Sequence, residues 1–140
     1  MTIKETHDNL IKEFDSIDNW DDRYAHIIKL GRDLPELPEK YRTDKNKIDG
    51  CQSQVWMNAE LKNGKLEIAA DSDAMIVKGL IAVVLRAYSG FSPSEILSNP
   101  PDFIKEIGID NHLSPTRKNG LGAMLKQIQM YAMAFKALEK

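Results

Sequence analysis

The stretch that decides the fold is MNAELKNGKLEIAA, residues Met57–Ala70, in which two alternating segments flank one turn signal. Asn63-Gly64 is a strong signal for a two-residue β-hairpin turn. With Lys62 opposite Lys65, the two strands bring apolar residues face to face. The apolar pairs are Leu61 with Leu66, Ala59 with Ile68, and Met57 with Ala70. The sequence therefore predicts an antiparallel hairpin with one apolar side.

A third strand is expected beside this hairpin, because a two-stranded ribbon is rarely stable alone. The nearest candidate is the segment Thr43–Asp49, which directly precedes the only cysteine. We therefore predict a small three-stranded antiparallel sheet.

Helical patterns lie on both sides of the hairpin. Thr2 and Glu5 form a capping box for a first helix, and Asp18 or Asn19 caps a second helix, which Gly31 is expected to end. Ala74–Tyr88 is almost entirely apolar and predicts a buried helix. Later starts are predicted at Ser92-Pro93, Asn99-Pro100-Pro101 and Ser114-Pro115. The predicted fold class is α+β, with helices packed on one face of the sheet.

Length and composition fit one domain over residues 1–140 and exclude several classes of protein. Nineteen Lys and Arg against 21 Asp and Glu give a net charge of −2, so no basic field is present to bind nucleic acid. The N-terminus lacks the apolar run of a secretory signal, and Lys78 and Arg86 interrupt the longest apolar stretch. We therefore expect a cytoplasmic protein that does not bind membranes.

Cys51 is the candidate reactive group. As the only cysteine, it cannot form an internal disulfide or a cluster of thiolate ligands, so it is either an inert buried thiol or a reactive one. Gly50 permits a tight turn there, and the hydrogen-bonding side chains of Gln52, Ser53 and Gln54 follow. This polar turn between strands favours a reactive thiol at a loop tip.

Sulfur exchange requires the least additional chemistry from this chain. An acyl-transfer enzyme would need a histidine base, and His7, His26 and His112 share no recognisable motif with Cys51. The spacing of a metal site is also missing, so we expect no bound metal. A thiolate that attacks sulfur mainly needs a suitable pKa and access.

Arg117 is unusual in the first turn of the last predicted helix, because a cation there opposes the helix dipole. An anionic partner would explain it. The sequence leaves open whether that partner is Cys51, a carboxylate such as Asp71 or Asp73, or only solvent.

Four motifs together resemble the SufE family of sulfur acceptors, which includes CsdE. They are Leu34-Pro35-Glu36-Leu37-Pro38, Gly50-Cys51-Gln52-Ser53-Gln54-Val55-Trp56, Asp71-Ser72-Asp73-Ala74 and Leu113-Ser114-Pro115-Thr116-Arg117-Lys118-Asn119-Gly120-Leu121. The resemblance covers nearly the whole chain in the family's order. It implies a fold shared with IscU-type scaffolds and matches Cys51 to the family's acceptor cysteine.

The resemblance also implies partners. Sulfur would come from the persulfide of a cysteine desulfurase, SufS-like or CsdA-like, and would pass to a SufBCD-type scaffold complex. No cofactor of its own is expected. IscU scaffolds have three cysteines where this chain has one, so cluster building on this chain is not expected.

The resulting hypothesis is that Cys51 accepts persulfide sulfur, which stimulates the desulfurase, and Arg117 stabilises the anion. Loop and partner-binding roles are predicted for Gly50, Gln52, Ser53, Gln54, Trp56, Asp71 and Asp73. The alternative is a module that activates the desulfurase allosterically without carrying sulfur. The sequence does not choose between the two desulfurase branches, or between a monomer and a weak homodimer.

Overall fold

The hairpin has the predicted register. The structure is a computed structural model that describes residues 1–50 and 53–138. Strand β1 (Val55–Lys62) pairs antiparallel with strand β2 (Lys65–Ser72), and all three predicted apolar pairs lie opposite each other. Asn63 and Gly64 have φ values of 52° and 77°, the left-handed conformations that this turn requires.

The prediction of a third strand is wrong. Within the described residues the sheet has two strands, and Thr43–Asp49 instead contains a 3₁₀ turn at Asp44–Asn46. The side chain of Asn46 donates to the carbonyl of Tyr41 at 3.0 Å. Aspartate and asparagine compete in this way with strand hydrogen bonding. Only the end of the segment pairs with β1, through an isolated bridge between Lys47 and Trp56.

The helices begin close to the predicted positions. Their bounds are α1 Ile3–Asp15, α2 Trp20–Arg32, α3 Met75–Tyr88, α4 Pro93–Ser98, α5 Asp102–Ile107 and α6 Pro115–Leu138. Further 3₁₀ turns lie at Glu39–Tyr41 and Ile109–His112. The capping box predicted at Thr2 is present, the helix start predicted at Ser92-Pro93 also has a capping box, and Asn19 caps α2.

The hydrophobic core lies between the apolar side of the hairpin and the helices. Helix α3 packs against β2 and against α2, and most of its residues are buried, as predicted. Helix α6 reaches the other strand, because the hydroxyl of Tyr131 donates to the carbonyl of Met57 at 3.0 Å. The α+β class and the packing of helices on the apolar face are therefore confirmed.

Gly31 does not end α2, contrary to the prediction. The helix continues to Arg32, and buried Gly31 packs against Gly79 of α3. A Cβ atom on Gly31 would lie 2.6 Å from the backbone nitrogen of Gly79, and one on Gly79 would meet Ile27 of α2. The two glycines therefore permit a backbone-to-backbone approach of α2 and α3 that larger residues would prevent.

We predict that Gly79→Ala lowers the free energy of unfolding by about 2 kcal/mol or more, because the added methyl group overpacks this crossing. Gly122 of α6 is the matched control, since a Cβ there meets nothing within 4 Å. Gly122→Ala should instead raise stability by about 0.5–1 kcal/mol through helix propensity. Urea denaturation measures both, and equal effects of the two substitutions would contradict the close crossing.

Candidate functional site

The candidate site surrounds the segment that carries Cys51. Cys51 and Gln52 lie outside the described residues, but Gly50 and Ser53, which are bonded to them, are described. Gly50 has a φ of 89°, so the predicted need for glycine before the cysteine is confirmed. A Cβ on Gly50 would lie 3.7 Å from the Cβ of Ala123, so α6 passes beside this flank.

Backbone and side-chain hydrogen bonds hold both ends of the segment 49–54. The Ile48 N–H donates to the carbonyl of Val55 at 2.9 Å. On the following side, the Gln54 N–H donates to Asp73 Oδ1 at 3.1 Å, and the Asp73 N–H donates to the Gln54 carbonyl at 3.4 Å. Asp73 therefore closes the loop, a position consistent with its predicted loop role.

A pocket of about 350 Å³ opens beside the Ser53 flank. Its apolar walls come from α3 and α6, and its polar groups come mainly from the start of α6. The lining residues are Val77, Leu80, Leu121 and Met124, with Ser53, Ser114, Thr116, Arg117 and Gly120. The structure thus brings together two predicted site residues, Ser53 and Arg117, from distant parts of the sequence.

Arg117 lies in the first turn of α6, where Ser114 Oγ accepts a hydrogen bond from the Arg117 N–H at 3.3 Å. The two carboxylates considered as its partners are engaged elsewhere. Asp73 holds Gln54, and Asp71 pairs with Arg42 and with Lys78. Within residues 1–50 and 53–138 Arg117 forms no ion pair with either, so that interpretation is wrong.

Two further predicted site residues, Trp56 and Asp71, lie opposite each other in the hairpin next to the loop. The guanidinium of Arg42 contacts both, as an ion pair with Asp71 and over the Trp56 ring at 5.2 Å. Arg42 is not among the predicted site residues, because it is 29 positions from Asp71 and carries no local signal. Lys78 is not among them either, since in the sequence it only interrupts an apolar stretch.

The Asp71-Ser72-Asp73 motif supports the start of α3 through its serine. Ser72 Oγ accepts from the Ala74 N–H at 3.2 Å just before the helix, whereas Asp71 and Asp73 bond elsewhere. The motif therefore divides its contacts between the helix start, the loop and the ion pairs.

The three histidines are all described, and each contacts a different part of the fold. His7 is buried, with Nε2 3.1 Å from the carbonyl of Ala87. His26 Nε2 lies 2.7 Å from Glu13 Oε2. His112 stacks on Trp20 with ring centroids 3.7 Å apart. None of the three lines the pocket beside Ser53.

No group of three or more candidate metal ligands is found in the part of the chain that the structure describes. Among the same residues, none of the helices has the length and apolar character needed to cross a bilayer.

Comparison with known protein families shows to which family this chain belongs. A family model described as "SufE: Fe-S metabolism associated domain" matches residues 8–132. The chain belongs to the SufE family. The association with Fe–S metabolism is therefore shown at the level of the family.

Two curated relatives support this assignment. An uncharacterized SufE-like protein of Rhizobium meliloti (strain 1021) is 42% identical over 130 residues, covering 89% of this chain and 93% of the relative. One from Rhizobium etli is 43% identical over 127 residues, covering 87% of this chain and 86% of the relative.

The fold also matches a solution structure of a hypothetical protein from Thermus thermophilus. The TM-score is 0.77 at 21% identity, and the match covers 92% of this SufE-family chain and 94% of the other. This likeness shows the fold alone.

We predict a pH dependence of stability that originates at His7. Burial lowers the pKa of this histidine below its ordinary value of 6.5. The unfolded state therefore binds a proton first as the pH falls, so stability is full above about pH 6.5 and is lost below it. In His7→Gln, which keeps a donor for Ala87, the slope of unfolding free energy between about pH 7 and 5 should flatten. An unchanged slope, equal to that of the exposed control His112→Gln, would contradict this origin.

Proposed function

We propose that this protein accepts sulfur on Cys51 from the persulfide of a cysteine desulfurase and passes it to iron–sulfur cluster assembly. The observation that carries the proposal is the position of the two flanks of Cys51. Gly50 lies beside α6, and Ser53 lines a pocket with an apolar wall and a cationic group. Family membership supports the sulfur chemistry.

Sulfur transfer fits the residues around the pocket better than acyl transfer does. The three histidines are held elsewhere by Ala87, Glu13 and Trp20, so none is placed as a base at the Ser53 flank. Attack on sulfur uses the thiolate directly and needs no separate base once the thiol is ionised. The available groups are therefore sufficient for this reaction.

The transfer step is balanced without an added oxidant or reductant. The Cys51 thiolate attacks the terminal sulfur of the donor persulfide, and a new S–S bond forms at Cys51. The S–S bond of the donor breaks, and the donor cysteine leaves as a thiolate. The desulfurase can then process another cysteine, so acceptance of sulfur stimulates its turnover.

The pocket supplies a reason why the carried sulfur would survive. Val77, Leu80 and Met124 give the pocket an apolar wall, and Arg117 lies at the positive end of α6. A persulfide anion next to Arg117 would gain electrostatic stabilisation. For delivery, Cys51 would have to reach a SufS-like or CsdA-like donor, or a SufBCD-type recipient, when the protein docks on it.

The first test separates sulfur carriage from allosteric activation. Cys51→Ser should abolish stimulation of the desulfurase because no sulfur can be accepted, whereas binding to the desulfurase, measured by calorimetry, should persist. Turnover is measured as sulfide or alanine release with saturating cysteine. Full stimulation by Cys51→Ser would show that the protein activates by docking alone.

The second test concerns Arg117. Arg117→Ala should move the pH midpoint of Cys51 alkylation upward and slow sulfur acceptance by roughly 3- to 10-fold, because a nearby cation favours the thiolate. Lys118→Ala is the matched control, since Lys118 is also an exposed cation near the start of α6. Equal alkylation profiles for the two variants would show that Arg117 is an ordinary surface residue with no effect on the Cys51 thiol.

A further inference from the structure

Arg42 holds a cross-strand pair at the base of the Cys51 loop. Trp56 and Asp71 are directly opposite in the antiparallel ladder, so their side chains project from the same side of the hairpin. Arg42 pairs with the Asp71 carboxylate, and its guanidinium carbon lies 5.2 Å from the centre of the Trp56 ring. One side chain thus clamps both strands beside the loop.

The carboxylate at the centre of this cluster is buried. The Asp71 side chain is only 3% exposed, and its Oδ1 also accepts from the Ser72 N–H at 2.8 Å. Lys78 Nζ lies 3.5 Å from the same oxygen. Because a buried charge that loses a partner is strongly destabilised, the contact with Arg42 is a strong local constraint on the end of the ladder.

The cluster also reaches the pocket wall. Lys78 belongs to α3, where the neighbouring residue Val77 lines the pocket beside Ser53. Asp71 therefore connects three parts of the molecule: the segment before the loop through Arg42, the hairpin, and the helix that forms the wall.

We propose that Arg42 is a positioning residue for sulfur transfer, acting through Trp56 and Asp71 on the base of the Cys51 loop. The inference rests on the proposed function of Cys51. Arg42 itself does not touch the sulfur. It keeps Val55 and Trp56 paired with β2, so that the 49–54 segment starts and ends at fixed points next to the pocket.

Without this clamp the exposed closure of the loop opens more often. Among the described residues, the loop is also held by the Ile48 to Val55 hydrogen bond, the Lys47–Trp56 bridge and the contacts of Gln54 with Asp73, and the contacts of Gln54 with Asp73 are exposed to solvent. Opening of such exposed contacts costs little free energy. Loss of Arg42 therefore makes Cys51 easier to reach for a small reagent and less well placed for a protein donor.

The experiment compares Arg42→Gln and Arg42→Lys with the control Arg86→Gln. Arg86 also pairs with a carboxylate, Glu13 at 2.8 Å, but on α1 and α3 away from the loop. Two rates are measured for each folded variant: alkylation of Cys51 by iodoacetamide without any partner, and sulfur acceptance from the desulfurase as a function of its concentration.

Arg42→Gln should raise the alkylation rate by at least about fivefold and lower the kcat for sulfur acceptance by a similar factor, with a smaller change in KM. Arg42→Lys keeps the charge but not the planar contact with Trp56, so it should change both rates by about half as much as Arg42→Gln on a logarithmic scale. Arg86→Gln should leave both rates within about twofold of the wild type.

Alkylation rates of Arg42→Gln and Arg42→Lys that match Arg86→Gln would overturn the positioning role. If Arg42→Gln does not fold, Arg42→Lys alone decides the outcome on the same criterion. The alkylation arm needs no desulfurase, so it distinguishes failure of this inference from failure of the proposed function. The latter would be observed as no sulfur acceptance by the wild-type protein.

Discussion

The pairing of β1 with β2 is the constraint on which the rest of the structure depends. Its register is fixed by the Asn63-Gly64 turn, and a shift of one residue would move Leu66 and Ala70 from the core to the solvent side. The same register places Trp56 opposite Asp71 at the far end of the hairpin. The turn at one end of the ribbon therefore determines the geometry beside Cys51 at the other end.

Helix α3 connects the hairpin to the candidate site. It starts shortly after β2, packs against α2 at the Gly31–Gly79 crossing, and presents Val77 and Leu80 to the pocket. The start of α6 supplies the opposite side with Ser114 and Arg117. Sheet register and a close helix crossing thus assemble a pocket from residues that are distant in sequence.

Local signals predicted much of this fold. The hairpin and the capping boxes depend on residues within a few positions of each other, so the sequence pattern reveals them.

The predictions that were wrong concern contacts between residues that are distant in sequence or that compete with the expected strand pairing. Glycine is typical of a helix end, and only the close approach of Gly31 to Gly79 explains its place inside α2. Thr43–Asp49 lies where a third strand was needed, but the contacts of Asp44–Asn46 favour a turn. At the site, Gly50 could be predicted from its neighbours, whereas the ion pair of Arg42 with Asp71 could not.

The proposal that Cys51 carries sulfur rests on a segment whose two ends are held by hydrogen bonds. The most direct measurement is intact-protein and peptide mass spectrometry after incubation with a cysteine desulfurase and cysteine, followed by removal of the desulfurase. The account predicts one added sulfur atom that maps to the peptide containing Cys51 and is lost on treatment with a thiol reductant. Desulfurase stimulation without any added sulfur on Cys51 would contradict it.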